Sequence, residues 1–333
     1  MVVRAGFPMI RTMMLTLGAV SLQPAKAAPG DDVYMRPGQL VEADGAHVNL
    51  YCAGSGSPTL LLDAGHQDWA PAWAVLQPQL AVRFRVCSFD RPGYGFSPPG
   101  PMPRTSERIA TELHDALRSI GITGPYALVG HAFGATNMRT FAFLYPEEVQ
   151  GLVLIDPDAI DVATPQQIAR AHSFYIRQAI EIQGCGEALA AHLRQPAELG
   201  CDKRFFRGFP EPGWSAALNA ALAEAVHTRP GLSDAANAEL TEIPEDELWL
   251  REHSKSLGAK PLRIITAAQR KPEAISAQAA ILSVSSNARQ ILAAHSRAAY
   301  VQFDEPQLVL DAVAEIAGKP VRKSAPRRTG GSR

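Results

Sequence analysis

The chain has 333 residues, of which 46% are apolar and 20% charged, with a formal net charge of -1. That length supports one large domain or a domain with a big insertion, and the composition is that of an ordinary globular protein. A charge this close to zero gives no global field favouring nucleic acid, which sets that class of partner aside.

The first feature along the chain is a targeting pattern. Arg4 and Arg11 give a positive start, Met13 to Leu22 form a short apolar stretch, and Ala25-Lys26-Ala27 places small residues where a signal peptidase reads them. Residues 1–27 are therefore expected to be a signal peptide, and the mature chain to be exported and soluble. The apolar stretch is too short to span a bilayer, and no later run is long enough for a membrane helix. Export into an oxidising compartment lets cysteines pair, and the four present allow three connectivities. Cys52 lies in the strand-like run His47 to Cys52 and Cys87 in the run Arg85 to Phe89, while Cys185 and Cys201 bracket a helical stretch. Cys52–Cys87 and Cys185–Cys201 are the favoured pairs.

From residue 39 to residue 156 strands and helices alternate. Strand character marks Thr59 to Asp63, Arg85 to Phe89, Tyr126 to Gly130 and Gly151 to Ile155. Helical spacing marks Trp73 to Leu80, Ser106 to Ile120 and Phe133 to Leu144; Ile109, Leu113, Leu117 and Ile120 form the apolar stripe of the second. Strands separated by helices of this length imply βαβ units and a mostly parallel sheet. Residues 158–258 hold no convincing strand and read as a helical insertion. Strands resume at Pro261 to Thr266 and Arg289 to Ala293, followed by a last helix from Glu305 to Ile316. The tail from Lys319 to Arg333 carries six Lys/Arg and no acid, and reads as a solvated, disordered end. The expected organisation is a core of residues 28–157 and 259–318 with a helical cap at 158–258.

The strand Tyr126 to Gly130 runs through Gly130-His131-Ala132-Phe133-Gly134-Ala135 into a helix. A Gly-x-x-x-Gly turn of this kind raises its middle residue on a strained corner above the sheet edge, where the free amides of the helix N-terminus point at the site. A nucleophile elbow has serine there; this chain has Ala132, which has no oxygen to attack a carbonyl.

These stretches together resemble the α/β hydrolases, and within them the exported esterase-like or lipase-like group with a helical cap. The resemblance covers roughly residues 38–318. It is carried by Cys52-Ala53-Gly54-Ser55-Gly56-Ser57-Pro58, by Asp90-Arg91-Pro92-Gly93-Tyr94-Gly95-Phe96-Ser97, by the elbow, and by Tyr145-Pro146-Glu147-Glu148-Val149 with Gly151-Leu152-Val153-Leu154-Ile155-Asp156. It implies an α/β-hydrolase fold, a mostly parallel central sheet flanked by helices with an inserted helical cap.

The resemblance also implies a histidine a few residues before the Asp304-Glu305-Pro306 segment that opens the last helix. That slot falls on Ala299, which cannot move a proton, and His295 upstream is the possible substitute base. The acid slot after the strand ending at Thr266 falls near Ala268, with no carboxylate in Thr266-Ala267-Ala268-Gln269-Arg270; Asp156 and Asp158 are the alternatives, or else they close their strand and hold the first turn of the cap. The oxyanion donors implied are the backbone amides of Phe133 and His66, which side-chain replacement leaves intact. His66 is otherwise expected to shape the pocket, and His131 and Ser97 to be structural. In the cap, Phe174, Phe205, Phe206, Phe209 and Trp214 are candidates to line an apolar pocket.

Removing the nucleophile or the histidine of a serine-hydrolase triad costs roughly 10⁶ in turnover, and the two losses are not additive because the groups act as one unit. The chain therefore reads as a triad-less α/β hydrolase, a pseudoenzyme or an inactivated variant of a carboxylic-ester hydrolase. It is expected to bind a small apolar ester or acyl ligand and barely turn it over. A working hydrolase or lyase with a non-standard base (His66, His295 or Asp156) and a non-enzymatic small-ligand binder are the alternatives. No metal-ligand spacing and no phosphate-binding glycine loop is present, so no cofactor is expected.

Overall fold

A computed structural model describes residues 31–191, 214–228, 231–296 and 300–318. The expected signal peptide, the basic tail, Cys201, Phe205, Phe206, Phe209 and Ala299 lie outside the described residues. The described strands, β1 (Gln39–Ala43), β2 (Ala46–Ala53), β3 (Thr59–Asp63), β4 (Arg85–Asp90), β5 (Tyr126–His131), β6 (Val149–Ile155), β7 (Leu262–Ala267) and β8 (Ala288–Ala293), form one eight-stranded sheet in the order β1-β2-β4-β3-β5-β6-β7-β8. β1 and β2 run antiparallel to each other and β2 antiparallel to β4; every pairing from β4 to β8 is parallel. This is the α/β-hydrolase fold.

Strand alternation divides the core into two layers. Leu61, Leu128, Leu152, Leu154 and Ile264 pack on one face against α2 (Ser106–Ser119) and α3 (Phe133–Leu144), through Leu113, Leu117, Met138 and Phe141. Leu60, Leu62, Ala127, Val129, Val153 and Ile155 pack on the other against α1 (Gln77–Ala81) and the C-terminal α9 (Pro306–Ile316), through Leu80, Val309, Val313 and Ile316. The helix expected over Trp73 to Leu80 is divided: Ala70–Trp73 is a 3₁₀ turn and α1 begins only at Gln77, each with a proline in its first turn, where a missing N–H costs nothing. Cys52 and Cys87 are directly opposed in the β2–β4 register and are disulfide-bonded, as expected. Cys185 is also disulfide-bonded.

Between β6 and β7 the described residues are helical: α4 (Pro165–Ala190), α5 (Ala216–Thr228) and α6 (Gly231–His253). α7 (Pro272–Ala280) follows β7, and the short α8 (Val301–Asp304) precedes α9. The inserted helices share a third apolar cluster with the core. In it Ile182, Leu218, Leu222, Leu232, Leu240 and Ile243 meet Tyr34, Trp69, Tyr94 and Phe133.

Candidate active site

Going from β3 the chain moves to β4 on one side, then returns to β5 on the other, so the strand order reverses between β3 and β5. In open α/β sheets the crevice at the C-terminal ends of such strands is where ligands bind. Here that crevice opens into a cavity of about 280 Å³ whose wall includes Gly65 and His66 after β3, and His131, Ala132 and Phe133 after β5.

Ala132 stands at the corner itself, with φ 47° and ψ -117°, a region that L side chains avoid. Its amide donates to the carbonyl of Ile155 at 3.0 Å, and its carbonyl accepts from Ala135 at 2.9 Å, so the corner is fixed from both sides. The flanking glycines are required by close approach. A Cβ on Gly130 would lie 2.4 Å from the carbonyl oxygen of Gly134, and one on Gly134 would lie 2.3 Å from that of Asp63. Gly65 faces the corner: a Cβ there would come 3.5 Å from the Ala132 methyl. Phe133 is the first residue of α3, so its N–H has no acceptor within the helix. Both backbone positions expected as oxyanion donors thus border the cavity beside Ala132.

Among the described residues the non-glycine positive-φ positions are Asp44, Gln67, Ala132 and Asp156. Asp44 belongs to the β1–β2 hairpin, but the other three follow β3, β5 and β6 at this crevice. Backbone strain of this kind concentrates at functional sites.

The other expected residues are placed unevenly. His66 is on the cavity wall, its Nε2 lying 2.7 Å from the carbonyl oxygen of Ala236 on α6. His295 is exposed, outside the cavity wall, and its amide donates to Glu305 at 2.8 Å. Asp156 is buried with its carboxylate engaged: Arg270 donates to it through Nε at 2.9 Å and also through Nη2, and Gln278 donates at 3.1 Å. Ala268 extends the β7 edge by donating to Ala293 at 2.9 Å. Ser97 bridges Asp90 and Asn49 at 2.6 and 2.9 Å, a structural part. Phe174 lines the cavity although it is 45% exposed, whereas Trp214 packs edge-on to Phe303 at 5.6 Å.

Other residues at the site carry no motif. Tyr300, adjacent in sequence to Ala299, lines the cavity with its ring 5.5 Å from that of His131. Asp158 and Tyr175 form a polar wall in which the tyrosine hydroxyl donates to Asp158 at 3.3 Å. Burial, reinforced by Asp156 and opposed by Arg270 and this hydrogen bond, pushes the Asp158 carboxyl up to about 6. Burial first, then the neighbouring Asp158, raises the Tyr175 hydroxyl well above its ordinary value, so it remains a donor. Arg91, fully buried, donates to the carbonyls of Ala64 and Gly65, each at 2.9 Å, and of Asp68 at 3.3 Å, which fixes the loop carrying His66. The Asp90-Arg91-Pro92-Gly93 segment was the signal that could have found it. Among the described residues no group of His, Cys, Asp and Glu is arranged to hold a metal ion.

Comparison with known proteins supports the fold. Residues 58–180 match the family model for the alpha/beta hydrolase fold. An uncharacterized protein YbdG of Bacillus subtilis is 29% identical over 132 residues, 39% of this chain and 39% of its own length. The 2-hydroxy-6-oxo-6-(2'-aminophenyl)hexa-2,4-dienoic acid hydrolase of Metapseudomonas resinovorans is 28% identical over 119 residues, 35% of this chain and 41% of its own. The chain thus spans less than half the length of these curated relatives. Among solved structures, an epoxide hydrolase from Bacillus megaterium superposes with a TM-score of 0.65 at 18% identity, covering 84% of this chain and 100% of that one. A thermophilic esterase from Thermogutta terrifontis gives 0.58 at 20% identity, covering 83% and 96%. The fold and the crevice define this chain as an α/β-hydrolase-fold protein with hydrolases among its relatives. No helix of the described residues is long and apolar enough to cross a membrane.

Proposed function

We propose that this chain keeps the ligand cavity and oxyanion donors of a carboxylic-ester hydrolase but lacks its nucleophile and general base, and so binds a small apolar ester or acyl ligand without turning it over. The observation that carries this reading is the backbone of Ala132. A non-glycine residue at φ 47° costs on the order of 1–3 kcal/mol, a strain that has a purpose when the corner presents a reacting side chain and none when it presents a methyl group. Ala299, read from the sequence as the histidine slot, completes the reading because alanine cannot move a proton. Asp156, engaged by Arg270, has no histidine to orient in its present role. Phe133 and His66 border the crevice; in this reading their amides keep the polarising half of acyl-transfer chemistry while the proton-transfer half is lost.

In this reading residues 28–157 and 259–318 are the hydrolase core and 158–258 its helical cap. Residues 1–27 direct export, with which the Cys52–Cys87 disulfide is compatible.

The test is hydrolysis of short-chain p-nitrophenyl esters by the mature chain and by the Ala132→Ser, Ala299→His double variant. The chain as it stands should be silent. The variant should gain at least roughly 10³-fold, since the triad acts as a unit. Enzyme-like turnover by the unaltered chain would overturn the reading and make His66, His295 and Asp156 the next residues to replace.

A further inference from the structure

The cavity has a chemical bias of its own, and its polar wall shows the sign. Asp156 and Asp158 both lie near one guanidinium, that of Arg270. Arg270 is taken by Asp156, which accepts from its Nε at 2.9 and 3.2 Å and also from Nη2. Asp158 accepts a long hydrogen bond from Tyr175, at 3.3 Å. Arg270 borders the cavity together with Asp158, but its charge is matched by Asp156, so the Asp156–Asp158–Arg270 group carries one excess negative charge, and of the two carboxylates Asp158 is the one on the cavity wall.

Around that charge the wall is aromatic. Phe174 and Tyr175 stand edge to face, with ring centres 5.3 Å apart, and Tyr300 borders the same space beside His131. An aromatic face attracts a cation through its quadrupole, and a carboxylate on the same wall adds to the attraction. The molecule already uses this pairing elsewhere: the Arg91 guanidinium lies 5.0 Å from the Tyr94 ring centre and 5.6 Å from that of Phe133.

We infer that the cavity selects ligands that carry a positive charge, namely esters or acyl compounds bearing an ammonium group that sits among Phe174, Tyr175 and Tyr300 against the Asp158 carboxylate. This rests on the reading of the cavity as an ester or acyl site that does not turn its ligand over, and replaces the apolar ligand of that reading with a cationic one. That inertness also makes equilibrium binding measurable with a true ester.

The experiment is calorimetric titration of the mature chain at pH 8 and low salt with three probes of equal length. They are butyrylcholine, its uncharged isostere with carbon in place of the quaternary nitrogen, and a butyrate ester ending in a carboxylate. Butyrylcholine should bind roughly tenfold more tightly than the uncharged isostere, and the anionic ester weakest. Asp158→Asn should erase the cationic preference, the ratio of butyrylcholine to uncharged-isostere affinity falling to about one. Equal affinity for charged and uncharged esters, absence of butyrylcholine binding, or a preference that survives Asp158→Asn overturns the inference. The comparison among probes on the unaltered chain needs no variant to fold. Hydrolysis of the probes during titration would instead overturn the inert-site reading, and the cationic preference would then be read as a ratio of KM values.

Discussion

Two walls of one cavity are held in opposite ways. At the end of β5 the chain turns through Ala132 into α3 with no side-chain cap; its geometry rests on backbone hydrogen bonds and on glycines that let β3, β5 and α3 approach within contact distance. Across the cavity, α6 contributes Leu240 and Ile243 to the lining but is docked by three buried carboxylates. Glu239 accepts from Arg91 at 2.6 and 3.1 Å and from Tyr94 at 2.8 Å. Asp246 accepts from the amide of Ser106 at 2.9 Å, and Glu247 from Thr136 at 2.6 Å and the amide of Ile160 at 3.1 Å. The strand-end wall depends on the absence of atoms, the helical wall on the presence of particular polar ones. A buried carboxylate tolerates loss of its partner poorly, because the charge is then left without compensation.

The largest effect is therefore expected where the two walls are joined. Arg91 pairs with Asp63 at 2.7 Å on the strand side and with Glu239 on the helical side, and all three are essentially inaccessible to solvent. Arg91→Met should cost about 3–5 kcal/mol of stability, measured by urea unfolding, because two buried carboxylates lose their counter-charge. A loss under about 1 kcal/mol would show that the helical wall does not depend on its ion pairs and would erase the contrast.

A smaller effect is expected at the strand-end wall. Gly134→Ala places a methyl 2.3 Å from one backbone oxygen and 2.5 Å from another, neither of which can rotate away. The expected cost is about 1–3 kcal/mol, with α3 displaced from β3. Gly184→Ala, a glycine of α4 with nothing within 4 Å of the added atom, is the control and should not destabilise. If both variants behave alike, close approach does not set the geometry of the elbow.

The same contrast decides what could be read in advance. The elbow was legible because its constraints are local: Gly130, Ala132 and Gly134 stand at fixed spacing between an apolar strand and a helix, and a side chain at either glycine would collide with backbone. Strand and helix positions in the core followed from alternation and the three-four spacing on α2, and Phe133–Leu144 is helical over the range expected. The anchoring of α6 was not legible. Arg91 and Glu239 are 148 residues apart, and Thr136 and Glu247 are 111 apart, so no local pattern links them. In sequence, Glu239, Asp246 and Glu247 look like a solvated helix face, and Pro244 looks like a stop, yet all four residues are buried. Tyr300 was missed for a related reason: it enters the cavity from a connection, where no periodicity reports which way a side chain faces.

The smallest effect tests whether the helical wall carries a pH dependence that the strand-end wall lacks. Burial pushes Asp246 up to about 7; Glu242 and Glu239 add to the rise, and the hydrogen bonds from Ser106 oppose it. Ser106 Oγ lies 2.6 Å from Asn137 Oδ1 and 3.0 Å from Asp246 Oδ2, and its single proton cannot serve both acceptors. A protonated Asp246 resolves the conflict by donating to Ser106 while Ser106 donates to Asn137. An acid whose folded-state value lies above its unfolded one contributes stability that is complete below about pH 4 and is lost as pH rises through 7. Asp246→Asn mimics the protonated acid, since its amide donates to Ser106 Oγ and its carbonyl accepts from the Ser106 amide. The variant's Tm should approach or exceed that of the unaltered chain at pH 8 and fall below or match it at pH 5, with the difference opening between those values. Parallel profiles across that window would mean that Asp246 is ionised throughout. The Ser106 contact would then be anchored by charge, with no proton held at Asp246.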